Sequence, residues 1–132
     1  MQERPGLVTM GAQPLTLLGS GVMVGSRAPE FEVVGGDSRT VRFSSFLGKV
    51  RIILSVPSVD TPVCDRMTRR FDAEGGGLGN NVVVLTISTE RPFAQKRWCK
   101  AAGVRKVQAL SDHRDASLGT AFGVLIKELR LT

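Results

Sequence analysis

The fold predicted for this chain rests on one stretch, VRIILSVPSVDTPVC, which spans residues 50–64. Its first part, residues 50–56, is an apolar run of the length and composition typical of a strand that is buried within a sheet. Pro57 ends that strand, and a short loop leads to a second proline, Pro62. Proline is favoured at the first position of a helix, where its missing N–H is not needed. The stretch therefore predicts a strand, a loop and a helix that begins beside Cys64.

The position of Cys64 within that helix indicates a reactive thiol. With Thr61 as the N-cap, Cys64 is the third helical residue, where the partial positive charge of the helix N-terminus favours the thiolate. The thiolate is the nucleophile in cysteine chemistry. We expect the Thr61 hydroxyl to accept a hydrogen bond from a first-turn N–H and to donate its own proton to the sulfur or to a bound oxygen. A buried structural thiol is the alternative that this placement disfavours.

The rest of the chain predicts one α/β domain that spans residues 14–132, preceded by a loose tail at residues 1–13. Residues 15–18 and 22–24 are expected to form a small hairpin around a glycine-rich turn. A second pair of strands precedes the quoted stretch, and an alternation of helix and strand follows it. The predicted strands are 31–34, 40–43, 50–56, 81–88 and 107–110, and the predicted helices are 62–73, 91–102 and 116–122.

The net charge of the chain, +6 from 18 basic and 12 acidic residues among 132, does not by itself indicate a nucleic-acid partner. The basic residues are scattered, and no aromatic residues lie between them as stacking platforms for bases. An acidic protein partner is compatible with this charge. No apolar run approaches the roughly 20 residues of a membrane span, and the first residues lack the pattern of a signal peptide. We therefore expect a cytosolic (cytoplasmic) protein that binds neither nucleic acid nor membrane.

Cys99 is the only other cysteine, and it falls in the predicted helix 91–102. The two cysteines are too far apart in sequence for a Cys-x-x-Cys redox motif or a zinc knuckle. The chain has one histidine, so a four-ligand zinc site would need carboxylates. The helices that carry Cys64 and Cys99 flank one strand, which allows the cysteines to be neighbours without requiring it. In a reducing cytosol, two cysteines are more often thiols or redox-active groups than a structural disulfide.

Three motifs give the chain a resemblance to a known family. They are PSVDTPVC at 57–64, PFAQKRWC at 92–99 and GSRAPEF at 25–31. Pro57, Thr61 and Cys64 match the pattern Pro-x-x-x-Thr-x-x-Cys of the peroxiredoxins. The first two motifs together resemble in particular the atypical two-cysteine peroxiredoxins of the thiol peroxidase subfamily. The resemblance covers most of the chain.

The resemblance implies a role for each of four residues. Cys64 is similar to the peroxidatic cysteine, which attacks the peroxide, and Cys99 to the resolving cysteine, which then forms a disulfide with it. Thr61 is similar to the residue that holds the thiolate and the peroxide, and Pro57 to the one that shields the sulfur from water. The family's activity implies reduction of hydrogen peroxide or small organic hydroperoxides, with recycling by a thioredoxin-type reductant. The resemblance also implies a thioredoxin-like fold, a homodimer, and no metal or organic cofactor.

The chain departs from the family pattern at its C-terminal end. The family's activating arginine would align just beyond Thr132, and Arg130 is out of register with it. We therefore expect a domain that lacks its last strands and closing helix. Two alternatives to an active thiol peroxidase remain open at this point. One is another peroxiredoxin subtype in which Cys99 is not the resolving residue, and the other is an inactive thioredoxin-fold module that binds a partner or senses redox state.

Overall fold

Two sheets and three α-helices make up the regular structure of the chain, which a computed structural model describes over residues 1–132. The strands are β1 (Glu3–Met10), β2 (Gln13–Leu18), β3 (Glu32–Val34), β4 (Thr40–Arg42), β5 (Val50–Ser55), β6 (Val82–Ser88), β7 (Val107–Ser111) and β8 (Leu125–Ile126). The helices are α1 (Pro62–Gly75), α2 (Pro92–Ala102) and α3 (Ser117–Phe122), with two 3-10 helices at Phe43–Phe46 and Gly76–Leu78. None of these helices has the length and apolar character that crossing a membrane would require.

The larger sheet has the strand order β4-β3-β7-β6-β5, in which β5, β6 and β7 are parallel. Side chains of β6 point alternately to the two faces of this sheet. Leu85 and Ile87 lie on the face that α3 covers, where Leu118 of α3 belongs to the same apolar cluster. Val84 lies on the opposite face. Connections between adjacent parallel strands are right-handed in nearly all proteins, which places α1 and α2 on that opposite face, where residues of both pack against the same apolar cluster.

The apolar cluster beneath α1 and α2 positions both of the helices that carry cysteines. Its buried members are Leu54, Val56, Val59, Val84 and Val107. Cys64, Met67 and Phe71 of α1 pack against it, and so does Trp98 of α2. Met67 and Phe71 confirm the buried helix face that their four-residue spacing predicts.

The N-terminal region differs from the sequence prediction. Residues 1–13, expected to be a loose tail, contain strand β1, which pairs antiparallel with β2. The N-terminal hairpin is therefore formed by β1 and β2 around Gly11 and Ala12, which both have positive φ, and residues 22–24 lie outside any strand. β1 is almost entirely exposed, so it lacks the alternating burial by which a strand is recognised in a sequence. On its other edge β2 pairs with β8.

The α/β alternation that follows agrees with the prediction. Every strand from β3 to β7 and every α-helix has ends within two residues of those expected. α1 begins at Pro62, and α2 stops at Gly103, whose φ of +70° is the left-handed conformation that glycine adopts readily.

Hydrogen bonds of buried and half-buried polar side chains connect the loops at the carboxyl edge of β5, β6 and β7. Gln95 of α2 is 2% exposed, and its amide nitrogen donates to Ser88 Oγ at 2.9 Å and to the Leu110 carbonyl at 2.8 Å. The carboxylate of Glu90 accepts a hydrogen bond from the Val59 N–H at 2.8 Å. These contacts position the loop before α1 relative to the start of α2.

Replacing Gln95 with methionine tests this connection. Methionine is similar in size but donates no hydrogen bond, so the Ser88 hydroxyl and the Leu110 carbonyl lose a buried donor. We expect the free energy of unfolding to fall by about 1–3 kcal/mol, as is typical when buried polar groups lose their partner. The measurement is urea denaturation, with Lys96→Met at an exposed position of the same helix as the control. Equal losses in the two variants would contradict the role given to Gln95.

Candidate active site

Cys64 is the third residue of α1, as the sequence predicts. Thr61 is the N-cap: its backbone is extended, with φ −82° and ψ 146°, and its carbonyl accepts the Asp65 N–H at 2.8 Å. The Cys64 side chain is half-buried and packs against the apolar cluster beneath α1. The thiol therefore lies at the positive end of the helix, at the boundary between the core and the solvent.

The Thr61 side chain differs from the prediction. It makes no hydrogen bond to the first turn of α1, and its hydroxyl instead donates to the Ser58 carbonyl at 2.9 Å. The reason is the tight turn at residues 58–61, which brings that carbonyl within reach of the hydroxyl. The expected side-chain cap is therefore wrong, and the hydroxyl proton is engaged away from the sulfur. The first-turn N–H groups are left without a side-chain acceptor, which makes them available to an anion or a thiolate.

Pro57 and Val59 lie on the loop that joins β5 to α1. Pro57 is half-buried just after the end of β5, and Val59 is 1% exposed. The Glu90 carboxylate, on the loop after β6, accepts the Val59 N–H and also the Ser88 hydroxyl, the latter at 3.3 Å. Sequence reasoning missed Glu90. The available signal was its position after a central strand, since the carboxyl ends of parallel strands meet at one edge of the sheet.

Cys99 lies in α2, where its side chain is half-buried. Burial raises the pKa of the Cys99 thiol, and the negative charge of Asp72 on α1 raises this pKa further. Asp72 comes more than two turns after Cys64, about 12 Å along a helix axis at 1.5 Å per residue. The charged group of α1 that acts on Cys99 therefore lies in a later part of the helix than the turn that carries Cys64. Both cysteines are free thiols, so the structure is that of the reduced form.

The Asp72 carboxylate is held in place beside α2. Its Oδ1 accepts the backbone N–H groups of Arg105 and Val107, both at 3.0 Å, and also that of Lys106. These bonds fasten the later part of α1 to the segment that leads into β7. They also keep a negative charge near Cys99.

A hydrogen bond between side chains joins α1 and α2 close to their cysteines. The indole Nε1 of Trp98 donates to Asp65 Oδ1 at 2.8 Å. Arg69 Nε contacts both Asp65 oxygens, at 3.1 and 3.0 Å, and its guanidinium carbon lies 5.5 Å from the centre of the Trp98 ring. The spacing of apolar residues in α1 predicts that Asp65 and Arg69 lie off its apolar face. In the structure neither residue belongs to the apolar cluster beneath the helix. The sequence carries no sign of their contact with Trp98.

An open cleft of about 650 Å³ lies beside the loop before α1 and the first turns of α2. Its lining includes Val59 and Glu90 from the two loops, and Phe93, Arg97 and Trp98 from α2. Phe93 is 69% exposed, so the cleft presents apolar surface beside charged groups. The chain has no group of three or more His, Cys, Asp or Glu side chains placed to hold a metal ion.

Comparison with known proteins finds close relatives of this chain. The Redoxin family matches its residues 23–132. Thiol peroxidases of Halalkalibacterium halodurans and Bacillus subtilis are each 52% identical to it over 124 residues. The aligned region is 94% of this chain and 74% of each of those proteins. The chain thus spans about three-quarters of the length of these relatives.

Solved structures have the same architecture. The crystal structure of a peroxiredoxin-like protein from Aquifex aeolicus matches with a TM-score of 0.79 at 38% identity, covering 86% of this chain and 66% of that one. A thiol peroxidase from Chromobacterium violaceum gives a TM-score of 0.75 at 24% identity, over 88% of this chain and 67% of that one, a likeness of fold alone. The predicted thioredoxin-like α/β fold is confirmed, and it carries an N-terminal hairpin, which β1 and β2 form.

Asp72 supplies a test of the electrostatics at Cys99. Because its negative charge raises the pKa of the Cys99 thiol, Asp72→Asn is expected to lower that pKa, while burial keeps it above the ordinary value. More thiolate is then present at any given pH. Alkylation of Cys99 by iodoacetamide should become faster, and its pH profile should move to lower pH. The measurement is made in a Cys64→Ser background, where Cys99 is the only thiol.

Glu74→Gln is the matched control for this test. It removes the same charge from an exposed position on the same helix, where the carboxylate pairs only with Arg70. The alkylation profile of Cys99 should not move in this variant. An identical profile for Asp72→Asn and its parent would contradict the effect assigned to Asp72.

Proposed function

The chain belongs to the redoxin family, and within it to the thiol peroxidases, and on that premise we propose that it reduces hydrogen peroxide or small organic hydroperoxides at Cys64. The observation that carries this proposal is the placement of the thiol. It is half-buried and third in α1, and the first-turn N–H groups have no side-chain acceptor. Such a position favours the thiolate. We assign Pro57 to shielding the sulfur and Thr61 to holding the peroxide.

The first step is a displacement at oxygen. The Cys64 thiolate attacks one peroxide oxygen, the O–O bond breaks, and the oxidised sulfur becomes a sulfenic acid. The other oxygen leaves with the electron pair of the broken bond and takes up a proton. It departs as water, or as an alcohol when the substrate is an organic hydroperoxide. The first-turn N–H groups of α1 stabilise the negative charge that develops on the oxygens.

Cys99 completes the cycle as the resolving cysteine. Its sulfur attacks the Cys64 sulfenic acid, an S–S bond forms, and the S–O bond breaks with release of a water molecule that carries the Cys99 proton. A thioredoxin-type dithiol then reduces the disulfide by thiol–disulfide exchange and is itself oxidised. The raised pKa of the Cys99 thiol favours its protonated form, which makes Cys99 a poor nucleophile toward peroxide itself.

The two sulfurs must approach each other for this disulfide to form. A disulfide requires Cα atoms within about 4.4–6.8 Å, whereas in the reduced form both cysteines are free thiols within two separate helices. We infer that oxidation opens the first turn of α1, the part of α2 around Cys99, or both. Helix ends have low local stability, which makes such an opening accessible.

The partners and location that we propose follow from this chemistry. The substrate is a peroxide, and the reductant is a thioredoxin-type protein. We place the enzyme in the reducing cytosol, because both thiols must be free at the start of each turnover. We propose that it is a homodimer, as the family resemblance implies. Neither nucleic acid nor membrane has a part in the reaction.

The two cysteines have different predicted phenotypes. Cys64→Ser is expected to abolish peroxide reduction, because a serine hydroxyl is not ionised at neutral pH. Cys99→Ser should permit one oxidation of Cys64 per chain and then stall in a thioredoxin-coupled assay. A non-reducing digest of the peroxide-treated wild type should contain an intramolecular Cys64–Cys99 disulfide, detected by mass spectrometry. Turnover by Cys64→Ser would refute the catalytic assignment, and Cys64–Cys64 links between chains as the only product would refute the role of Cys99.

Hydrogen exchange tests the proposed opening. We expect faster amide exchange in residues 61–68, in residues 91–102, or in both after oxidation, because the disulfide holds at least one of these segments open. Residues 82–88 form the buried central strand and serve as the internal control, with unchanged protection. If both segments were equally protected in the reduced and oxidised proteins, the disulfide would form without any opening.

A further inference from the structure

We propose that the hydrogen bond between Asp65 and Trp98 holds α1 and α2 in the arrangement from which Cys64 reacts with peroxide, and that it must break before Cys64 and Cys99 can join. The inference rests on the proposed function, since it concerns the step between the sulfenic acid and the disulfide. Asp65 and Trp98 are positioning residues in this step, because neither touches the peroxide or exchanges electrons.

The bond joins the residues next to the two cysteines. Asp65 follows Cys64 in the chain, and Trp98 precedes Cys99. The 2.8 Å bond from the indole N–H to the carboxylate is the only hydrogen bond between side chains of α1 and side chains of α2. Opening the first turn of α1 carries Asp65 away from Trp98, and opening α2 around Cys99 carries Trp98 away from Asp65. Either route to the disulfide therefore breaks this bond.

Several features make the contact stronger than an isolated surface hydrogen bond. Its acceptor is ionised, and the Asp65 side chain is only 31% exposed. Trp98 packs against the apolar cluster beneath the two helices. Arg69 pairs with Asp65 at 3.0 Å and lies over the Trp98 ring at 5.5 Å, within the range of a cation–π contact. Asp65 also occupies the first turn of α1, where the helix N-terminus favours a negative charge.

The contact consequently affects what becomes of oxidised Cys64. The Cys64 sulfenic acid can react in two ways. One is condensation with Cys99, which requires α1 or α2 to open near its cysteine. In the other route the sulfur of the Cys64 sulfenic acid attacks an oxygen of a second peroxide molecule. A second S–O bond forms, the O–O bond breaks, and the other peroxide oxygen takes up a proton and leaves as water or an alcohol, so that a sulfinic acid remains. This second route needs no opening. Weakening the Asp65–Trp98 bond should therefore speed disulfide formation and lower the yield of sulfinic acid.

Four variants separate this bond from general effects on the helix. Asp65→Ala removes the acceptor, and Trp98→Phe removes the indole N–H while keeping an aromatic ring. Asp65→Asn keeps a carbonyl oxygen that can accept from the indole but removes the charge. Glu74→Ala is the matched control, because it removes the other i,i+4 ion pair of α1, with Arg70, which makes no contact with Trp98.

The readout is the competition between the two routes. After one equivalent of peroxide, samples are quenched with an alkylating reagent, and intact mass gives the disulfide as a function of time. We expect disulfide formation to be about tenfold faster in Asp65→Ala and in Trp98→Phe, as is typical for the loss of a hydrogen bond to a charged group. At excess peroxide both should accumulate less sulfinic acid, seen as two added oxygen atoms. For Asp65→Asn, the rate of disulfide formation and the yield of sulfinic acid should lie between those of these variants and those of the wild type. For Glu74→Ala, both should match the wild type.

Tryptophan fluorescence and a double variant complete the test. Trp98 is the only tryptophan, so its emission follows the opening directly in the variants that retain it. Because Asp65→Ala and Trp98→Phe remove the same bond, the double variant should be no faster than either single one. Unchanged or slower disulfide formation in both single variants would overturn the inference, and so would an equal acceleration by Glu74→Ala. Absence of the Cys64–Cys99 disulfide in the wild type would refute the proposed function instead.

Discussion

Burial of β6 on both faces is the constraint on which the rest of the structure depends. Leu85 and Ile87 pack into the cluster on the α3 side, while Val84 packs into the cluster beneath α1 and α2. A strand with two apolar faces must be central and covered on both sides. β5 and β7 therefore pair with its two edges in parallel, and connections of the usual right hand place α1 and α2 on the same face of the sheet. The two cysteines lie on neighbouring helices for this reason, although no short motif connects them.

One helix supplies opposite environments to the two thiols. The N-terminus of α1 favours a negative charge at Cys64. Burial raises the pKa of the Cys99 thiol, and the Asp72 carboxylate, farther along the same helix, raises it further. The beginning of α1 thus offers N–H groups without a side-chain acceptor near Cys64, whereas its later part carries the negative charge that acts on Cys99. This difference supports the roles proposed here, with Cys64 as the peroxidatic and Cys99 as the resolving cysteine.

The same packing creates a conflict between reactivity and turnover. In the proposed mechanism Cys64 reacts while the first turn of α1 is intact, whereas the disulfide with Cys99 forms after the two helices rearrange. The polar contacts that α1 makes with the rest of the chain are distributed unequally along the helix. Asp72 is bonded to three consecutive backbone N–H groups ahead of β7, which keeps the later part of α1 in place. Asp65 is bonded to a single indole N–H, which leaves the beginning of the helix as the part that can open.

The sequence by itself determined the strand, loop and helix around Cys64, the α/β alternation and the family, because these depend on local periodicity, on proline and glycine, and on motifs that are contiguous in the chain. It failed at β1, whose exposed residues leave no burial pattern to detect. Only the tertiary structure decided that the Thr61 hydroxyl bonds to a loop carbonyl, and that Asp65 bonds to Trp98. The physical reason is that a polar side chain can form hydrogen bonds with any of several partners. Packing of distant segments on a shared core determines which of those partners lies within hydrogen-bonding distance.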